Sequence, residues 1–146
     1  MSTIPAPMRG EVIRRARNRC EYCGIAQVGQ EAIFHIDHIL PASQDGPTEL
    51  GNLAWACVSC SLRKAAKTEG VDPATGARVP LYNPRREPFS AHFELVLDLI
   101  RGRTPVGRAT VDALQMNRPE RREARRVQIV HGQFPPGRTW TTRGAS

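Results

Sequence analysis

Two Cys-x-x-Cys pairs, Cys20-Glu-Tyr-Cys23 and Cys57-Val-Ser-Cys60, stand 33 residues apart in a chain of 146. No other feature restricts the fold as much. Each pair makes a tight knuckle offering two thiolates, and two such knuckles complete the tetrahedral four-sulfur shell of a structural Zn2+. Two disulfides are the alternative, but a Cys-x-x-Cys ring encloses too few residues to constrain an unfolded chain much, and a redox role needs only one pair. Zinc bound in this way brings the end of one helix, at residues 20–23, against the start of another after Cys57. With four thiolates on the ion, no position is left open there for catalysis.

The chain has use for such a brace. Its length fits one domain that buries roughly two-thirds of its unfolded surface, yet aromatic residues make up only 5% of it, and it holds 12 prolines and 12 glycines. Few large side chains are available to fill a core, which favours a covalent or metal staple. No apolar run approaches the ~18 residues that span a bilayer, and the N-terminal MSTIPAPMRGEVIRRA has no apolar stretch resembling a secretory signal. The expectation is a soluble cytoplasmic protein, a compartment in which cysteines are reduced thiols or metal ligands.

The formal charge of +7 is unevenly placed. Residues 1–100 carry eleven basic and eleven acidic groups, whereas residues 101–146 carry ten arginines against Asp112, Glu120 and Glu123. Arg9, Arg14, Arg15, Arg17 and Arg19 form a smaller basic block before the first cysteine, so two basic ends flank an acidic middle. Arginine pairs bidentately with phosphate and releases its counterions, so these ends suit a nucleic acid. A solvated, salt-bridged surface is the competing reading.

Apolar positions Met8, Val12, Ile13 and Ala16 recur at helical spacing, predicting an amphipathic helix from Met8 to Arg19. Residues 31–40 contain the β-rich run Ala-Ile-Phe-His-Ile and stop at Pro41, predicting a strand; residues 41–50 are turn chemistry, and 58–68 predict a short helix closed by Gly70. Asp-Pro and Thr-Gly punctuate a hairpin or loop after that. Phe93, Leu95, Leu97 and Leu99 alternate with Glu94 and Asp98 as a strand pair would, although Phe89, Phe93, Val96 and Ile100 also suit a helix. Thr104-Pro105 opens a helix to about Met116, and Asn117 to Pro119 restarts one to about His131. These pieces divide the chain into a basic N-terminal helix (1–19), a zinc-knuckled core (20–70), an extension packed on it (71–132) and a flexible tail (133–146).

Inside the cysteine frame lies Phe34-His35-Ile36-Asp37-His38-Ile39-Leu40-Pro41, then Gly51-Asn52-Leu53, then the second knuckle followed by Ser61-Leu62-Arg63-Lys64. The order Cys-x-x-Cys, Asp-His-Ile-x-Pro, Asn-Leu, Cys-x-x-Cys and a lysine four residues on resembles the HNH nucleases, whose ββα-metal site cleaves nucleic-acid phosphodiesters. The likeness is tight over residues 20–67. It continues loosely towards a bacterial HNH subgroup through Arg15-Ala16, Asn83-Pro84-Arg85-Arg86, His92-Phe93 and Thr104 to Thr110. The fold class it implies is α+β: a small zinc-braced ββα-metal core with an N-terminal helix and C-terminal strands and helices.

Phosphodiester hydrolysis needs a nucleophilic water, a neutralised phosphate and a stabilised leaving oxygen. A carboxylate-held divalent ion supplies the last two, and a neutral imidazole generates the first. Asp37 and His38 offer both groups. Adjacent strand residues point to opposite faces, so the backbone must turn at His38 for both to serve one site, which Pro41 makes plausible. The resemblance implies Asp37 as ligand to Mg2+ or another divalent ion, His38 as general base, and Asn52 as the residue fixing the loop around the base. The family's other ligand, His or Asn, follows the second knuckle directly, and here that position is Ser61. A hydroxyl is the weaker donor, so ligation is incomplete or borrowed. His35, two residues before Asp37, is either such a ligand or a packing histidine. Asn83 and His92 are better read as structural.

Arg63, Lys64, Lys67, Arg85 and Arg86 follow this site and are candidates for phosphate contacts, as are Arg122 and Arg125 on the last helix. The expected function is metal-dependent hydrolysis of DNA, with two chains or two encounters needed for a double-strand cut. A zinc-braced nucleic-acid-binding module that lost catalysis through Ser61 is the alternative, and a thiol redox protein a weaker third.

Overall fold

The structure, a computed structural model, describes residues 4–138 and Trp140. Helix α1 (Ala6–Arg15) begins with prolines at its first turn and ends with Arg14 and Arg15 opposite its dipole. It buries Val12 and Ala16 completely. It stops short of Arg19 because Arg17 and Asn18 both take φ of 53°, a turn that swings Cys20 into the interior. The Arg15 guanidinium donates to the Leu53 carbonyl, tying the helix end to the centre of the fold.

Strands β1 (His35–His38) and β2 (Leu53–Ala56) form an antiparallel pair, with Asp37 opposite Ala54 and His38 opposite Leu53. The strand expected over 31–40 is this short because β2 has only four residues to pair with it, all buried. Before it, the Gln27 side chain accepts from the Phe34 N–H at 2.8 Å and donates to the Ala32 carbonyl at 3.0 Å, holding residues 27–34 as a loop. Helix α2 (Val58–Lys64) follows, with Cys57 Sγ accepting from the Cys60 N–H at its start. It ends at Ala65, whose φ is 48°, so Gly70 is not its cap. Gly70 lies instead in hairpin β3 (Glu69–Val71) and β4 (Arg78–Pro80).

The helix α3 (Phe89–His92) is one turn, and the alternating segment after it is the expected strand pair, β5 (Phe93–Val96) with β6 (Leu99–Gly102). Helix α4 (Pro105–Ala113) is capped by the Thr104 hydroxyl, which accepts from the Gly107 N–H at 3.0 Å. A Cβ at Gly107 would stand 2.1 Å from the His92 carbonyl oxygen, so only glycine lets α4 approach α3 this closely. Helix α5 (Pro119–Val130) closes the described fold.

One buried apolar cluster runs through most of these parts, from Val12 through Trp55 and Tyr82 to Leu114 and Met116. Tyr82 meets Tyr22, Phe89 and Phe93 edge-on, which joins the extension to the first knuckle. The segment expected to be a flexible tail begins with docked residues. Phe134 is 3% exposed, and Trp140 packs on Phe89 and donates to the Ala16 carbonyl. Residues 139 and 141–146 of that segment lie outside the described residues. Among the described residues no helix is long and apolar enough to cross a membrane.

Candidate metal centre and active site

The Sγ atoms of Cys20, Cys23, Cys57 and Cys60 lie within 4.8 Å of one another, all buried. None is in a disulfide, and Cys23 and Cys57 are 3.8 Å apart, well beyond a sulfur–sulfur bond. A tetrahedron with Zn–S bonds of ~2.3 Å has edges of roughly 3.8 Å, so the cluster has the size of a four-thiolate zinc shell. The chemistry around it fits as well. Burial pushes the Cys20 and Cys60 thiols well up from their ordinary range, so a charged cluster here needs cations. Arg121 of α5 is one. Its Nη2 donates to Cys60 Sγ at 2.9 Å and Cys57 Sγ at 3.5 Å, while Nη1 donates to the Leu114 carbonyl at 2.6 Å. Burial opposes the charge of this guanidinium, but the surrounding sulfurs outweigh it and raise its pKa. Neutral thiols are poor acceptors for a buried arginine, so this contact suits metal-bound thiolates.

Strand β1 carries the second centre. Asp37, 8% exposed, accepts from the Tyr22 hydroxyl at 2.7 Å and pairs with Lys64 Nζ at 3.2 Å. Burial pushes its carboxyl up, opposed by the Lys64 charge and the Tyr22 bond. Lys64 is itself buried and also donates to the carbonyls of His38 and Ile39, at 3.3 and 3.1 Å. His38 is half-buried with Nε2 2.9 Å from the Thr48 hydroxyl. Asn52 clamps the intervening loop: Oδ1 accepts from the Leu40 N–H at 2.9 Å, and Nδ2 donates to the Leu40 and Pro47 carbonyls at 3.0 and 2.9 Å.

Ser61 stands on the face of α2 towards β1, and its hydroxyl lies 3.0 Å from His35 Nδ1. The imidazole expected as a ligand or a packing residue therefore sits beside the hydroxyl that replaces the family's ligand. A carboxylate such as that of Asp37 is a hard donor of the kind that holds Mg2+ together with several waters. The Lys64 ammonium is the feature that competes with such an ion. Asn83 and His92 are engaged elsewhere. Asn83 Oδ1 accepts from the Arg85 N–H, and His92 lies between the Thr104 hydroxyl at 2.6 Å and Glu87 at 2.9 Å.

The basic residues singled out for phosphate contact separate into two sets. Lys64, Arg85 and Arg125 are buried and directed inward. Arg85 pairs with the fully buried Glu21 at 2.5 Å, and Arg125 donates to the Asp98 and Met116 carbonyls at 2.7 and 2.9 Å. Expecting Arg85 and Arg125 to contact phosphate is corrected by these internal partners, and Lys64 is likewise held by Asp37 and two backbone carbonyls. Arg122 is partly exposed but pairs with Asp98 at 2.7 Å, which Arg126 also reaches. Lys67 and Arg86 are exposed and Arg63 half-buried, and these keep donors for a ligand. Much of the C-terminal arginine excess is thus structural.

Sequence reasoning missed Tyr22, Thr48 and Arg121. Tyr22 lies inside the first knuckle as an ordinary core aromatic, Thr48 in a turn, and Arg121 in a charge run with nothing to distinguish it from its neighbours. No curated protein and no solved structure matches the chain. Residues 20–67, from the first knuckle through the Asp37-His38 strand to just beyond Lys64, match the family model for HNH endonuclease.

Proposed function

We propose that the protein is a DNA endonuclease that hydrolyses phosphodiester bonds with His38 as general base and Asp37 as ligand to a catalytic divalent ion. The observation that carries this reading is the placement of His38. Its Nε2 stands 2.9 Å from the Thr48 hydroxyl; in the tautomer that donates this bond, Nδ1 is the proton acceptor, and the Asn52 clamp fixes the loop that presents it. When bound by Asp37 with His35 or Ser61, Mg2+ or Mn2+ neutralises charge on the phosphate and on the departing oxygen. A water attacks phosphorus as its proton passes to His38; the new P–O bond forms and the bond to the 3′ oxygen breaks. Lys64 holds the Asp37 carboxylate and the His38 and Ile39 carbonyls in one arrangement. The zinc centre takes no part in the chemistry, and four unoxidised cysteines suit a reducing, cytoplasmic setting.

A second reading, a nucleic-acid-binding module without catalysis, draws on the Ser61 hydroxyl in the ligand position and on Lys64 already paired with Asp37. Incubation with supercoiled plasmid and Mg2+ or Mn2+, beside a His38→Ala variant, separates the two. Metal-dependent nicking that disappears in the variant supports the nuclease. Binding without nicking supports the module, and nicking that survives in the variant removes His38 from the mechanism.

A further inference from the structure

The loop that presents His38 forms one wall of a cleft. Ile39 and Leu40, the two residues after His38, face Pro80, Leu81 and Asn83 of the extension across a cavity of about 260 Å³. Lys67 and Arg86 stand on its rim, Lys64 lies at its base, and no acidic residue lines it. A larger cavity, about 670 Å³, lies instead against Cys23 and Cys57 and is bordered by Glu120, and another of about 480 Å³ is bordered by Asp112. Arg86 has no ion-pair partner among the described residues, and Lys67 uses one of its three N–H groups on the Arg63 carbonyl. Asn83 has its Oδ1 occupied by the Arg85 N–H, which leaves the amide nitrogen as a donor. The wall opposite is apolar, and Leu40 is 40% exposed although it neighbours the base.

We propose that this cleft seats a single nucleotide of the substrate strand next to the scissile phosphate. Arg86 and Lys67 take its phosphate, and Leu40, Pro80 and Leu81 take its sugar and base. The volume suits one nucleotide rather than a duplex. Two unopposed cations at the rim and an apolar interior match the two halves of a nucleotide, and the cleft touches the residues that follow the base. The inference rests on the nuclease reading. It adds that the extension, which lies outside the matched domain, builds half of the substrate site, with the Asn83 amide nitrogen placed to donate to a base edge.

The test uses the full chain carrying His38→Ala, to prevent cleavage, and a short fluorescently labelled DNA strand, alone and paired, at several salt concentrations. Lys67→Ala and Arg86→Ala should each weaken binding by roughly threefold to tenfold at moderate salt, and together reduce the salt slope by about two. Asn83→Asp keeps the bond to the Arg85 N–H but places a carboxylate in the cleft, and should weaken binding at least as much. Zinc content and melting temperature should stay at parental values in all three. If zinc and folding are intact and both the Lys67/Arg86 double variant and Asn83→Asp bind as the parent does, the cleft proposal is overturned. The same substitutions with His38 restored then distinguish the two levels. Parental nicking by all of them leaves the nuclease reading standing without the cleft. A parent that neither binds nor nicks DNA removes both.

Discussion

The four-cysteine centre and the loop proposed as catalytic are built from the same 48 residues, positions 20–67, yet they are organised in opposite ways. At the zinc centre every ligand is buried, the four sulfurs are close enough for one ion, and α5 supplies Arg121 against their charge. At the proposed catalytic loop the donors are few, range from the buried Asp37 to the exposed His35, and are shared: Asp37 with Lys64 and Tyr22, Ser61 with His35, His38 with Thr48. A closed shell is suited to holding a fold together. An open one is suited to exchanging water, metal and substrate. If the loop works as proposed, a strong metal site and a reactive one share a frame of two knuckles because the brace would carry the stability and free the loop to be incomplete.

Several experiments sharpen or break this contrast. Stripping zinc with a chelator should have the largest effect, abolishing the cooperative thermal transition followed by circular dichroism, because the four-thiolate shell supplies folding free energy directly. Chelation that leaves the transition unchanged would mean the knuckles are not a brace. Arg121→Met comes next: removing one partner of a buried charge pair costs about 3–5 kcal/mol, and a chromophoric chelator should withdraw zinc faster from this variant. Arg121→Lys should recover part of the loss. Asn52→Ala should cost less, about 2 kcal/mol for its loop hydrogen bonds, and should suppress nicking while zinc content stays at the parental level. A change confined to stability, with nicking intact, would separate the clamp from the loop it is proposed to hold.

Smaller effects probe the open side and the extension. Ser61→His restores the donor type the family places there, and should tighten Mn2+ binding at the loop and raise nicking several-fold, without altering zinc content. Asp72 tests the extension. The Arg108 guanidinium, bonded to it at 2.9 Å through both Nε and Nη2, holds its carboxyl well below the usual carboxylate range, with the Ala74 N–H and Thr75 hydroxyl adding to the effect. A depressed folded-state value stabilises the protein above the unfolded carboxyl's pKa, about 3.9, and that stability is lost as pH falls through the folded value. Denaturation midpoints measured from neutral to acid pH should show this decline, and Asp72→Asn should lessen it.

The cysteine frame, the Asp37-His38 strand and the helix carrying Lys64 were legible in the sequence because each depends on spacing within a few residues. The Phe93–Gly102 strand pair was legible from alternation alone. What was not legible depends on which partner a side chain meets across the fold. The arginines of α5 look alike along the chain, but Arg121 meets sulfur, Arg125 meets backbone carbonyls and Arg122 meets Asp98, each selected by helix rotation against residues 24 to 61 positions away. Lys64 was read as a phosphate contact by charge, whereas its position one turn past Cys60 points it under β1 to Asp37. Element ends shifted for a similar reason: α1 and α2 both stop at residues with positive φ that carry no glycine to announce them.

The division of labour between the two centres is tested most directly by separating their metals. Protein carrying one tightly held zinc per chain is freed of any second ion by brief treatment with a weak chelator, its zinc content is measured again, and supercoiled plasmid is added without and with Mg2+. The expected result is retained zinc, no nicking without added ion, and nicking restored by Mg2+ in the parent but not in His38→Ala. Nicking that continues with zinc as the only metal would contradict the separation of brace from active site.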